Sequence, residues 1–175
     1  MKFIATYLSA ILALLLTGCT GIPEGVSPVT DFQINRYLGT WYEIARLDHP
    51  FERGLNNISA TYSLRDDGGI DVLNKGWSMA DQNWSSAEGI GYFVEQPSVG
   101  MLKVSFFGPF YASYNIIELD KPDYRYAVVT GPDKSYLWIL ARDKQLPNKT
   151  LQTLITQAQQ KGYATEKLIF VSHDR

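Results

Sequence analysis

Between Gly39 and Arg142 the sequence is a succession of short strand-like runs, several of them alternating apolar and polar side chains and each closed off by turn-forming residues. Ile58–Leu64 alternates cleanly, which is the signature of a half-buried strand. Asp66-Asp67-Gly68-Gly69 is a hairpin turn rich in residues that tolerate positive φ, and Ile70–Lys75 is the returning strand. Further strands are predicted at Ala87–Glu95, Leu102–Phe106, Ser113–Leu119, Arg125–Thr130 and Tyr136–Arg142. Glycines 89 and 91 inside one of them mark a bend or a close approach. No segment between these strands is long and periodic enough for a crossover helix, so a parallel α/β sheet is disfavoured. The pattern leaves an antiparallel sandwich or an up-and-down barrel. One helix follows the strands: Leu151, Leu154, Ile155 and Ala158 fall on one helical face, with Pro147 suited to the first turn and Gly162 to the stop. Leu168–Val171 is a short final strand.

The first residues read as an address rather than as fold. Met1-Lys2 is a positive start, and Phe3–Leu16 is an apolar run too short for an ordinary membrane helix but suited to a signal-peptide core. It ends in Leu16-Thr17-Gly18-Cys19, which looks like a bacterial lipobox whose cysteine becomes the acylated first residue of the mature chain. Cys19 is the only cysteine, so the domain cannot build an internal disulfide. Residues 1–18 are therefore assigned to a signal peptide, 19–30 to a lipidated tether containing Pro23, Gly25 and Pro28, and 31–175 to one barrel domain. Thr20 stands where an aspartate would typically retain a lipoprotein in the inner membrane, so the pattern implies the outer membrane, on its periplasmic side. A formal charge of −2 with no dense basic stripe gives no case for a nucleic-acid partner.

Arg36-Tyr37-Leu38-Gly39-Thr40-Trp41-Tyr42-Glu43-Ile44-Ala45-Arg46 resembles the first lipocalin motif, built on Gly-x-Trp. Ala60–Leu64 and Tyr136–Arg142 are similar to the branch that holds bacterial lipocalins, apolipoprotein D and plant temperature-induced lipocalins. The resemblance runs from about Asp31 to Val171. It implies an all-β fold: an eight-stranded antiparallel up-and-down barrel around a cup, one C-terminal helix packed outside, and the short last strand. Eight strands leave room inside for side chains or one small ligand. Gly39, Trp41 and Arg142 are then structural, with Trp41 plugging the closed end and the Arg142 guanidinium lying across its ring. Thr130-Gly131-Pro132-Asp133 departs from the family's second motif, which puts in doubt the receptor-docking role that this loop has in other members.

Alternation predicts the inward face. Counting from Trp41, Glu43 and Ala45 point in; so do Tyr62 with Ile58, Ala60 and Leu64; Asn74 with Ile70 and Val72; Phe106 with Leu102 and Val104; Tyr126 with Val128; and Tyr136 with Trp138 and Leu140. These side chains either fill a solid core or line a cavity. The 11 tyrosines in the chain and an inward Asn favour a cavity with polar handles. The candidate ligand contacts are Tyr62, Asn74, Phe106, Tyr126, Tyr136, Trp138 and Glu43. A buried Glu43 must meet a ligand's polar group or pair with an arginine inside the barrel. His49 is expected in a solvated loop at the open end, and His49 and His173 together make no metal signature. No nucleophile elbow, phosphate loop or zinc motif is present, and nothing calls for a cofactor. The resemblance implies a non-enzymatic carrier of fatty acids, lysophospholipids or similar lipids, with a homodimer among its partners. The alternatives are a structural lipoprotein with a filled barrel and an acid/base enzyme using Glu43.

Overall fold

The computed structural model describes residues 20–175, so the leader and Cys19 lie outside the described residues. The strands are β1 (Gly39–Arg46), β2 (Leu55–Leu64), β3 (Ile70–Ser78), β4 (Asn83–Phe93), β5 (Met101–Phe107), β6 (Phe110–Leu119), β7 (Tyr126–Thr130), β8 (Leu137–Ala141) and β9 (Ile169–Phe170). Consecutive strands from β1 to β8 pair antiparallel, and β8 pairs back onto β1, so the sheet closes on itself; β9 adds to β1 outside the ring. Closure removes the edges that an open antiparallel sheet would expose. Among the described residues two α-helices accompany the sheet, α1 (Ile34–Tyr37), a single turn before β1, and α2 (Asn148–Gln160) after β8, with one 3-10 turn at Thr165–Lys167.

The register separates the two ends. Gly39 pairs with Tyr62, close to the tight turn that joins β2 to β3. This end also carries the 94–100 and 120–125 connections and is crossed by α1. The other end is ringed by residues 47–54, 79–82, 108–109 and 131–136. Strand tilt makes each hydrogen-bonded row climb from the first end to the second. Along the row Trp41, Ala60, Asn74, Ala87, exposure rises from fully buried through half-buried to exposed. The first end is therefore closed and the second is an open mouth.

Two apolar layers result. Inside lie Trp41, Tyr62, Ile70, Val72, Leu102, Val129 and Leu140. Outside, Leu154 and Ala158 of α2 pack on Ile117, Val128, Leu137 and Ile139. Each aliphatic side chain fully buried this way contributes about 1.5–3 kcal/mol. Pro147 stands at the N-cap of α2, one residue before the first turn, and Gly162 ends the helix at φ +86°.

Several expectations of side-chain direction are corrected. Tyr126 and Val128 belong to the outer layer; Ala127 and Val129 point in. Arg125, the first residue of the predicted strand, lies just outside β7, paired with Asp120 at 3.0 Å. Because α2 covers the outside of β7, both its faces are apolar and alternation carries no direction. Ala45 also turns outward, because a bulge between Glu43 and Ala45 adds a residue to β1. Leu64 stands half-exposed at the closed rim. His49 is 3% exposed, a buried residue rather than a solvated one. The 20–30 segment is not a free linker: Pro23 and Val26 are buried, and Val29 bonds to Ile116 and Gly100 along the barrel wall.

Candidate ligand-binding site

The closed end is filled and satisfied. Gly39 turns into β1 at φ +89°, a conformation costly for residues with a Cβ. Two residues later Trp41 is fully buried, and its indole N–H donates to the Tyr37 carbonyl at 2.7 Å. The Arg142 guanidinium lies 4.0 Å from the Trp41 ring centre. It donates to the carbonyls of Thr40 at 3.0 Å, Arg36 at 2.7 Å and Tyr124 at 3.3 Å. Gly39, Trp41 and Arg142 thus close one end of the barrel around a single cation–π contact and tie α1 to β1.

Above this plug lies a chain of phenols. The Tyr114 hydroxyl meets Tyr37 at 2.7 Å and Tyr62 at 2.8 Å. Burial pushes all three pKa values up, so each hydroxyl keeps its proton. Three protons serve two bonds, which leaves one of the three phenols with a donor to spare. The void beside them is about 10 Å³, room for about one water. Tyr62 is therefore part of the floor.

Higher up the wall the residues become partly accessible. Asn74 points inward, as alternation predicts, and its Oδ1 is buried without a hydrogen-bond partner. Phe106 is also inward; its ring lies against the Gly89 backbone, where an added Cβ would come within 2.9 Å. This is the close approach that a glycine inside β4 signalled. Trp138 points in from β8, and Tyr136 stacks near it at 6.1 Å and 22°.

Beneath the 47–54 loop sits a polar group that alternation alone does not reveal. Residues three apart on a strand normally face opposite ways, but the β1 bulge turns Arg46 to the same side as Glu43. Arg46 Nη1 lies 2.8 Å from Glu43 Oε1, both buried, so Glu43 does pair with an arginine inside the barrel. Arg46 also donates to the carbonyl of Glu52 at 3.0 Å. The Glu52 carboxylate accepts from the Trp138 indole at 3.1 Å and lies 3.1 Å from His49 Nε2, outside hydrogen-bond angles. Burial, with the negative charge of Glu52, pushes the Glu43 pKa well up against the pull of Arg46. Burial also acts to raise Glu52, but the adjacent His49 and the bonds from Glu43 and Trp138 outweigh it and hold it below the usual range. Of the two carboxyls Glu43 is therefore the harder to ionise, and Arg46 is the cation that lies against it. The role of Glu52 was not predicted; only folding of the loop brings it over β8.

Of the seven candidate contacts, Asn74, Phe106 and Trp138 face inward in the half of the barrel nearer the mouth, with Tyr136 stacked near Trp138. Tyr62 forms the floor, Glu43 is held in the pair, and Tyr126 lies outside. Among the described residues no cluster of His, Cys, Asp and Glu could hold a metal ion; His173 Nε2 sits instead 2.7 Å from the Glu43 carbonyl.

A closed antiparallel barrel with a plugged floor, an open cup and an external helix defines the lipocalin class of binding proteins. Residues 32–173 match the lipocalin-like domain, and the chain belongs to the lipocalin family. It is 52% identical over 159 residues to Outer membrane lipoprotein Blc of Vibrio cholerae, covering 91% of this chain and 93% of that protein. It is 47% identical to Outer membrane lipoprotein Blc of Escherichia coli K12 over 173 residues, 98% of this chain and 97% of that one. Insecticyanin from the tobacco hornworm Manduca sexta has the same fold, with a TM-score of 0.69 at 23% identity over 87% of this chain and 86% of that one.

Proposed function

We propose that the chain is a lipid-binding lipoprotein of the outer membrane, anchored by acylation of Cys19 on the periplasmic side. It takes fatty acids, lysophospholipids or similar single-chain lipids into its cup. The observation that carries this reading is the unpartnered Asn74 Oδ1 set among apolar walls. A buried acceptor left unmet costs about 1–3 kcal/mol, and a ligand that donates to it recovers that. Phe106, Tyr136 and Trp138 supply apolar contact around it. A buried acyl chain gains roughly 0.8 kcal/mol for each CH₂ enclosed, before ordering costs, so tight binding needs few polar contacts. The anchor rests on Cys19 after its apolar leader, and on the names of the relatives, which are outer-membrane lipoproteins.

Glu43 holds the lid loop and is not proposed to catalyse, because Arg46 and Glu52 occupy its oxygens. Native mass spectrometry of the mature protein, before and after addition of lysophospholipid, tests the ligand. One bound lipid per barrel is expected; an empty barrel at saturating lipid would leave the filled-barrel reading. Cys19→Ser is expected to give a folded protein that no longer fractionates with the outer membrane.

A further inference from the structure

The wall-bound N-terminal segment fixes where the anchor emerges. The Gly21 carbonyl accepts from Ser113 Oγ at 2.6 Å and Asn115 Nδ2 at 3.1 Å. Asn115 also donates to the Gly131 carbonyl at 3.2 Å, in a loop of the mouth. From there the chain descends the barrel wall, so that Phe32 bonds to Ser98 at the closed end. Cys19 is two residues from Gly21, a reach of about 7 Å. Gly21, the second residue after the proposed anchor, is therefore held beside the mouth.

The loops of the mouth carry bare apolar side chains. Phe107 and Phe110 are 77% and 78% exposed, and Phe51 is 71% exposed. Met79, in a third rim loop, is also exposed. No charged residue occurs from Val104 to Ile117. Both ends carry charge: in the mouth loops Arg53 pairs with Asp48 at 2.7 Å and Asp81 and Asp133 stand exposed, while at the closed end, which exposes Leu64 and Val94, Arg65 pairs with Asp67 and Asp71, and Arg125 with Asp120 and Asp123. What sets the mouth apart is the β5–β6 turn, where exposed aromatics are joined without charge; such a turn enters a bilayer interface readily, while charged loops beside it stay among the headgroups.

We infer that the mouth of the barrel faces the phospholipid leaflet that holds the Cys19 acyl chains, with Phe107 and Phe110 inserted at its interface. This rests on the acylation proposed above and adds an orientation to it. Lipid then passes between leaflet and cup beneath the rim without crossing water.

The test uses the full acylated protein in vesicles of phosphatidylethanolamine and phosphatidylglycerol. Acylated Cys19 has no free thiol, so Phe110→Cys, Phe51→Cys and Glu95→Cys each give one labelling site, the last at the closed end. With an environment-sensitive fluorophore and brominated lipid, quenching at 110 and 51 several-fold above that at 95 is expected. Quenching at 95 alone, equal quenching at all sites, or none, would each overturn the orientation. The intact mass of the protein reports acylation separately, so loss of the anchor is distinguished from a wrong orientation. Replacing Phe107 and Phe110 together by Ser is expected to slow fatty-acid transfer from vesicle to cup about tenfold. An unchanged transfer rate in that folded variant would overturn the inserted role of the two side chains.

Discussion

The two ends of the barrel are built on opposite principles. At the closed end the indole N–H of Trp41 and the guanidinium of Arg142 donate to backbone carbonyls, and the phenols bond to one another. At the mouth, Asn74 Oδ1 and both His49 ring nitrogens are buried without a hydrogen bond, and phenylalanines stand in the open. A protein keeps few such defects, and those it keeps cluster where something else is to bind. The contrast sets a floor that holds the fold against an open end where binding is proposed, although two further unpartnered atoms, Ser105 Oγ and Asn115 Oδ1, lie in the β5 and β6 wall.

Arg142→Ala attacks the floor and should have the largest effect. It removes a cation–π contact worth about 0.5–2 kcal/mol and uncovers three carbonyls. A loss of about 2 kcal/mol in urea unfolding is expected, with lipid affinity of the folded fraction unchanged. Intact stability with lost binding would erase the contrast between the ends.

Glu43→Gln probes the buried carboxyl near the mouth. Glu43 has a raised folded pKa, so above the usual 4.5 the unfolded chain releases a proton that the folded chain keeps. Stability therefore falls as pH rises from there toward the raised value. Glutamine still accepts from Arg46 and donates to Glu52, but it cannot ionise. The variant should fold and lose this alkaline decline, read as the change of urea midpoint with pH. Glu52, held below its usual range, acts in the opposite sense and only at acid pH.

Asn74→Leu is the mildest change to the protein and the sharpest for the ligand. Removing an unsatisfied buried group leaves stability near neutral or slightly raised. Plain fatty acids should bind as before, and lysophospholipids whose polar groups reach that depth up to about tenfold more weakly. Equal loss for every lipid would indicate a collapsed cup.

Much of this was legible in the chain. Hairpin turns and alternating runs specify antiparallel strands, because a strand with one wet face must alternate, and the lipocalin resemblance implied that they close into a barrel. The Gly39-Thr40-Trp41 motif and Arg142 announce the plug, and Ile70, Val72 and Asn74 fall inward where nothing interrupts the count. Gly89 marks the place where the Phe106 ring meets the backbone. Alternation failed in two places, each for a physical reason. On β7 the helix buries the outer face as well, so Tyr126 looks like a lining residue from sequence and is not one. On β1 a single bulge exchanges Ala45 for Arg46 on the inner face and creates the pair with Glu43.

By itself the sequence determined the antiparallel strands, the helix after them and most inward positions, because local periodicity encodes which face is buried, while the closed barrel was implied by the lipocalin resemblance. Only the tertiary structure decided that Glu52 and His49 fold over the cup and that the N-terminal segment climbs the wall to the mouth. Those arrangements depend on contacts between residues far apart in the chain, such as Gly21 with Asn115 and Glu52 with Trp138, and local periodicity does not encode contacts at that range.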